Sequence, residues 1–301
     1  MKDYLEAIGI NKSLIEETVK FRSNYFCDNS RVYKPQIAFY GKDILEMAMA
    51  AILQGANLLL CGPKATGKNV LAENLAYIFG RPVYNVSFHV NTDSSSLIGS
   101  DTFSDNRVTF RKGSISLCAE YGGFGILDEV NMVKNEAVAV LHSALDYRRI
   151  IDIPGYDLIK LHEATRFIGT MNYGYAGTRE LNEALVSRFL VLEMPSPDDV
   201  TIMKIINDSY PTIKKKACEQ FTGLFMDLAE KNENGELSTK SIDLRGLLSA
   251  IGVIRLGIAP RAALDMGLAN KSFDGFEKDI IEDVMTTRIP QAWKVYDVFE
   301  E

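Results

Sequence analysis

The sequence predicts an α/β fold, a parallel sheet held between layers of helices, followed by a small all-α domain. Three observations carry this expectation. An apolar run, Leu58-Leu59-Leu60-Cys61, reads as a buried strand ending in a loop with Gly62, Gly67 and Lys68 at G-x-x-x-x-G-K spacing, and a periodic helix follows at once. A second apolar strand, Ile126-Leu127, delivers adjacent carboxylates, Asp128 and Glu129, to its C-terminal end, the edge at which open α/β sheets bind ligands. Ser196-Pro197-Asp198-Asp199 then marks a composition shift, after which the pattern is helical throughout. The expected organisation is a helical extension over 1–35, a core with two hairpin insertions over 36–195, and a helical domain over 196–301.

The chain has 301 residues, 47% hydrophobic and 24% charged, which suits a globular protein with a sizeable core. Met1-Lys2-Asp3-Tyr4-Leu5-Glu6 lacks the apolar stretch of a signal peptide. Glu46, Gln54 and Asn57 interrupt the most apolar region, Leu45 to Cys61, so no membrane span is expected. Cys27, Cys61, Cys118 and Cys218 are far apart, as are His89, His142 and His162, which argues against a zinc site and for reduced thiols in a cytoplasmic protein. A net charge of −7 disfavours a broad nucleic-acid surface.

Taken in order, Ser13 and Glu16 have capping-box spacing, and Ile15, Val19 and Phe26 form a helical stripe interrupted by Arg22. Tyr33-Lys34-Pro35 reads as a connector, and Asp43 is placed to cap a helix from Ile44 to Gln54 that Gly55 closes. After the glycine-rich loop, Leu71, Leu75, Ile78 and Phe79 share one helix face, ended by Gly80 and Pro82. A strand is expected over Val83–Phe88 and a polar capping stretch over Asn91–Gly99, while Val108–Gly113 reads either as one arm of a short hairpin or as a surface turn, which the pattern alone favours. A helix over Glu136–Asp146 leads to a second hairpin, Ile150–Ile153 with Leu158–Leu161, turned by Pro154-Gly155. Phe167–Asn172 reads as another buried strand, Leu181–Phe189 as a further segment and Leu190–Leu192 as a last strand. Beyond Ser196, helices are expected along Ala217–Leu228, Asp243–Leu256, from Pro260 and over Phe276–Met285.

The loop has a specific physical reading. Glycines let successive N–H groups point inward at an anion, and the helix N-terminus adds partial positive charge. Lys68 is placed to reach β- and γ-phosphates, so this looks like a P-loop nucleotide-binding protein with a three-layer αβα domain. The contacting stretch is Gly62, Pro63, Lys64, Ala65, Thr66, Gly67, Lys68, Asn69 and Val70. Asn69 stands where such loops carry Ser or Thr, whose hydroxyl ligates Mg²⁺; an amide oxygen is a less readily placed ligand, which favours binding over fast hydrolysis. Asp128 suits the Mg²⁺ shell, and Glu129 suits polarising an attacking water. Asn172, at the end of its strand, is placed to meet the γ-phosphate or that water.

Gly62–Asn69, Ile126–Glu129, Met171-Asn172 and Ala184-Leu185-Val186-Ser187-Arg188-Phe189, ahead of a helical domain, together resemble the AAA+ ATPases. The details are most similar to the MoxR branch with its NorQ and CbbQ relatives. Gly169-Thr170-Met171-Asn172, Tyr175-Ala176-Gly177-Thr178 and Glu180-Leu181-Asn182-Glu183-Ala184-Leu185 match its G-T-x-N…Y-x-G-T-x-x-L-N-E-A-L stretch, and Leu97-Ile98-Gly99 and Gly257 with Pro260-Arg261 match as well. The resemblance spans residues 36–270. It implies that Asn172 is a first sensor, Arg188 an arginine finger presented to the neighbouring subunit, and Arg245 a second sensor within a lid formed by 196–301. Ser187 departs from the branch, which usually has Asp there.

The resemblance further implies ATP with Mg²⁺, a homo-oligomeric ring of six, and mechanical remodelling of a client protein, with a von Willebrand A-domain protein as a family partner. By the same analogy the two hairpins line a central pore or bind the client. Three other readings compete. A nucleic-acid motor of the McrB type conflicts with the acidic balance. A nucleotide-gated binding module with very slow hydrolysis draws on Asn69, and a kinase or GTPase lacks a suitably placed N-K-x-D.

Overall fold

The computed structural model describes residues 1–301 except 105, 134–138, 154, 173–180, 240 and 301. Tyr175, Ala176, Gly177, Thr178 and Glu180 of the family-like stretch, the first residues of the helix expected from Glu136, and Pro154 of the hairpin turn lie outside the described residues. The chain divides into two compact units, residues 1–63 with 67–195, and residues 196–301 with 64–66.

Nine strands are found among the described residues: β1 (Leu58–Cys61), β2 (Val83–Ser87), β3 (Gly99–Ser104), β4 (Arg107–Lys112), β5 (Phe124–Asp128), β6 (Ile150–Ile151), β7 (Ile159–Lys160), β8 (Arg166–Met171) and β9 (Leu190–Glu193). Five of them form one parallel sheet in the order β2-β5-β8-β1-β9. The central strands read as continuous apolar runs because both of their faces are covered. Strand alternation separates two cores. Leu58 and Leu60 point into one cluster and Leu59 and Cys61 into the other, so helices lie on both faces and the unit has three layers.

One face is covered by α1 (Lys2–Ala7), α2 (Lys12–Asn24), α3 (Lys42–Gln54) and α4 (Lys68–Phe79), whose Leu5, Ile15, Phe21, Leu45, Met49, Leu71 and Phe79 share a core. On α2 the buried stripe is Ile15, Thr18 and Phe21. It is not the expected one, since Val19 is 40% and Phe26 84% exposed. Arg22 does not interrupt packing: it donates to the Tyr77 and Ile78 carbonyls at 2.6 and 2.9 Å and so caps the C-terminus of α4. The α2 N-cap is Asn11, which accepts from Ser13 N–H, in place of Ser13 itself. Asp43 falls in the first turn of α3 instead of at its cap, and Gly55 and Gly80 close α3 and α4 in the left-handed region.

The opposite face holds α5 (Ser94–Ile98), capped by Asp93, then α6 (Ser114–Tyr121) and α7 (His142–Leu145). Strands β3 and β4 pair as an antiparallel hairpin, as do β6 and β7. The two hairpins meet: Tyr156 donates its hydroxyl to Asp101 Oδ1 at 2.5 Å and sets its ring 4.9 Å from that of Phe110. Helix α8 (Glu183–Val186), capped by Asn182, leads into β9.

The second unit is helical: α9 (Asp199–Ser209), α10 (Lys215–Glu233), α11 (Leu244–Arg255), α12 (Pro260–Gly267), α13 (Gly275–Arg288) and α14 (Val295–Val298). Asp198, and not Ser196, caps α9 by accepting from Thr201 N–H. Helices α11 and α12 approach so closely that a Cβ on Gly246 would stand 2.3 Å from the Gly267 carbonyl. Arg288 of α13 pairs with Asp227 of α10 through two contacts of 2.6 and 2.7 Å. Among the described residues no helix is long and apolar enough to cross a membrane.

Candidate functional site

The site grows from the C-terminal ends of β1, β5 and β8, neighbours in the sheet. Strand β1 hands the chain to Gly62, where a Cβ would lie 2.6 Å from the Met194 carbonyl, so only glycine fits beneath the loop. Ala65 adopts φ 63° and Gly67 φ 81°, both left-handed, and this turns the loop back to start α4 at Lys68. Pro63 is exposed; Lys64, Ala65, Asn69 and Val70 are half-buried.

Lys68 is buried, and its ammonium donates to the Gly62 carbonyl at 2.9 Å and the Pro63 carbonyl at 2.6 Å. Burial lowers its pKa to about 8, while the thiol of Cys61 and the carboxylates of Asp128 and Glu129 pull it back upward. The carboxylates therefore stand within electrostatic reach of the ammonium.

Strand β5 ends at Asp128, whose Oδ1 accepts a 2.6 Å hydrogen bond from the Thr170 hydroxyl of β8. Glu129 follows in the left-handed region at φ 56°. Its N–H donates to the same Thr170 oxygen at 3.1 Å, and its Oε1 accepts from Asn172 Nδ2 at 3.2 Å. The amide of Asn131 donates to the Asn172 carbonyl at 3.0 Å. The ends of β5 and β8 are thus cross-linked side chain to backbone and side chain to side chain.

Lys68, Asp128, Glu129 and Asn172 come together at this edge. Arg188 makes its contacts elsewhere: Nε donates to the His142 carbonyl at 3.2 Å, Nη1 donates to the Ala184 carbonyl, and the guanidinium lies 3.7 Å from Asp146. Arg148 holds the same Asp146 at 2.7 Å, and its guanidinium keeps that carboxyl below its ordinary pKa. Arg245 is exposed on the first turn of α11 in the helical unit. No group of three or more His, Cys, Asp or Glu side chains suited to a metal occurs among the described residues.

Sequence reasoning missed Thr170 and Asn131. Thr170 stood in the G-T-x-N match as a hydroxyl in a buried apolar strand, two residues before Asn172, but was given no role. Asn131, two residues after Glu129, gave no sign until the partner strand was in place.

A model of the AAA domain, dynein-related subfamily, matches residues 57–189, from the residue before β1 to the residue before β9. The chain is 30% identical over 249 residues to the uncharacterized protein YojN of Bacillus subtilis strain 168, covering 81% of this chain and 82% of that one. It is 32% identical over 212 residues to an uncharacterized protein of Staphylococcus aureus strain NCTC 8325, covering 68% and 81%. Among solved structures it is similar to a Cytophaga hutchinsonii protein described as a candidate ATPase, with TM-score 0.48, 16% identity and coverage of 91% and 97%. With relatives aligned over most of its length and the AAA match running through the strands that build the site, the chain belongs to the AAA ATPase family.

Proposed function

We propose that this protein is a Mg²⁺-dependent ATPase of the MoxR type that remodels a client protein from within a homo-oligomeric ring. In this reading residues 36–195 are the ATPase core, 196–301 the lid and 1–35 a helical extension. The observation that carries it is the convergence of Lys68, Asp128, Glu129 and Asn172 on one strand edge beside a loop whose turn opens α4.

The donor set fits a triphosphate. A buried ammonium that donates to the neutral Gly62 and Pro63 carbonyls is poised to trade those two bonds for phosphate oxygens, which are stronger partners for a charge. The first N–H groups of α4 add donors. Asn69 and Asp128 would hold Mg²⁺, which when bound neutralises phosphate charge. Glu129 orients the attacking water and takes up its proton, with Asn172 fixing the carboxylate through the 3.2 Å hydrogen bond. Arg188 acts on the neighbouring subunit's nucleotide, and Arg245 acts as second sensor in its own.

Steady-state hydrolysis tests this. Wild-type protein should turn over ATP, Lys68→Ala should lose nucleotide binding, and Glu129→Gln should bind ATP while losing turnover by about 10²-fold or more. Equal turnover in wild type and Glu129→Gln would refute the assignment. One observation favours a second reading: Asn69 in place of a hydroxyl ligand suits a nucleotide-gated binding module with very slow hydrolysis.

A further inference from the structure

We infer that Thr170 is the positioning residue of the carboxylate pair, its single hydroxyl setting the Asp128 side chain and the Glu129 backbone as one rigid unit. The inference rests on the ATPase reading above and adds a residue to it.

Thr170 is 1% exposed, near the end of a strand buried on both faces. The parallel register pairs Gly169 with Leu127, so the next residue of β8 lies beside the point where β5 releases its two acids. A hydroxyl has one hydrogen to give and lone pairs to receive. Here the hydrogen goes to Asp128 Oδ1 at 2.6 Å, the short distance of a bond to a charged acceptor, and a lone pair receives Glu129 N–H at 3.1 Å. Both capacities are spent on the acidic pair.

The second bond matters because Glu129 sits at φ 56°, a conformation that a residue with a side chain holds only where its surroundings fix it. Releasing its N–H would let the peptide turn and carry the Glu129 carboxylate away from Asn172. Releasing Asp128 would let its carboxylate rotate, and the carboxylate must present one orientation to serve a metal shell. Valine has the shape of threonine without the hydroxyl, so it removes both restraints and leaves Glu129 N–H without this acceptor. Serine keeps both bonds and gives up only a methyl group. A residue that merely filled space would rank the two replacements the other way.

The experiment compares full-length wild type, Thr170→Val, Thr170→Ser and Glu129→Gln. Turnover is measured alongside affinity for a fluorescent ATP analogue, in EDTA and in Mg²⁺. Thr170→Val should bind the analogue in EDTA within about twofold of wild type, lose most of the affinity that Mg²⁺ adds, and show kcat lowered about 10–100-fold. Thr170→Ser should match wild type within about threefold in all three measurements. Wild-type kcat and an unaltered Mg²⁺ effect in Thr170→Val, in a protein that Glu129→Gln inactivates, would overturn the inference alone. So would a Thr170→Ser protein as impaired as Thr170→Val. If Thr170→Val does not fold, Thr170→Ala removes the same hydroxyl, and the serine result decides between hydroxyl and methyl on its own. A wild type that neither binds nor hydrolyses ATP would overturn the ATPase reading and this inference with it.

Discussion

Burying an ammonium is costly, and Lys68 is buried. Its pKa, lowered from 10.5 to about 8, gives the pH dependence a sign. Below about 8 the group is charged in folded and unfolded chains alike, and the penalty is present in full. Between about 8 and 10.5 the folded chain has released a proton that the unfolded chain still holds, so stability rises with pH across that window. Urea unfolding of wild type against Lys68→Met should show that rise in the wild type only. ATP affinity should move the opposite way, falling as pH passes about 8, because a triphosphate needs the charged form; titration calorimetry at successive pH values reads this directly. At the neighbouring position Asn69→Thr should raise kcat several-fold by supplying the hydroxyl ligand, and a lower kcat would argue that the amide has its own purpose.

At the scale of elements, α2 is tied to the face of the sheet that carries α4. Phe21 meets Phe79 edge-on at 5.1 Å, and Arg22 caps the far end of the helix that Lys68 begins. Phe21→Ala should cost about 3 kcal/mol of stability, seen as a lower urea midpoint; a neutral result would mean that the helix contributes little to this core. Much of this architecture was legible in the chain. Runs such as Leu58–Cys61 and Phe167–Met171 can be buried only in a sheet covered on both faces, and Gly-Lys spacing with an acidic pair at a strand end points to the candidate site. Element edges were less legible. Asn11 and Asp198 cap where Ser13 and Ser196 were expected, because neighbouring polar residues compete for the same N–H groups and sequence does not rank them. The buried stripe of α2 was misplaced because Phe21 and Phe26 are equally apolar and only the position of Phe79 chooses between them. The role of Thr170 was not legible for a related reason: its partners belong to another strand and depend on register.

At the scale of the molecule, the ring reading makes concentration the decisive variable. Arg188 lies 3.7 Å from Asp146 of its own chain, a carboxylate that Arg148 also holds, and the proposed role across subunits would have Arg188 turn to a neighbour's nucleotide. Specific activity should therefore rise with protein concentration, and Arg188→Ala should abolish that rise with a loss of about 10³-fold or more at saturation. Turnover independent of both would exclude catalysis across subunits. The hairpins act at this scale too. Because Tyr156 bonds to Asp101 and sets its ring, tilted, against that of Phe110, the ribbons β3–β4 and β6–β7 are fastened to each other. That bond joins positions 55 residues apart in sequence, a fastening that neither ribbon's own strand pairing supplies.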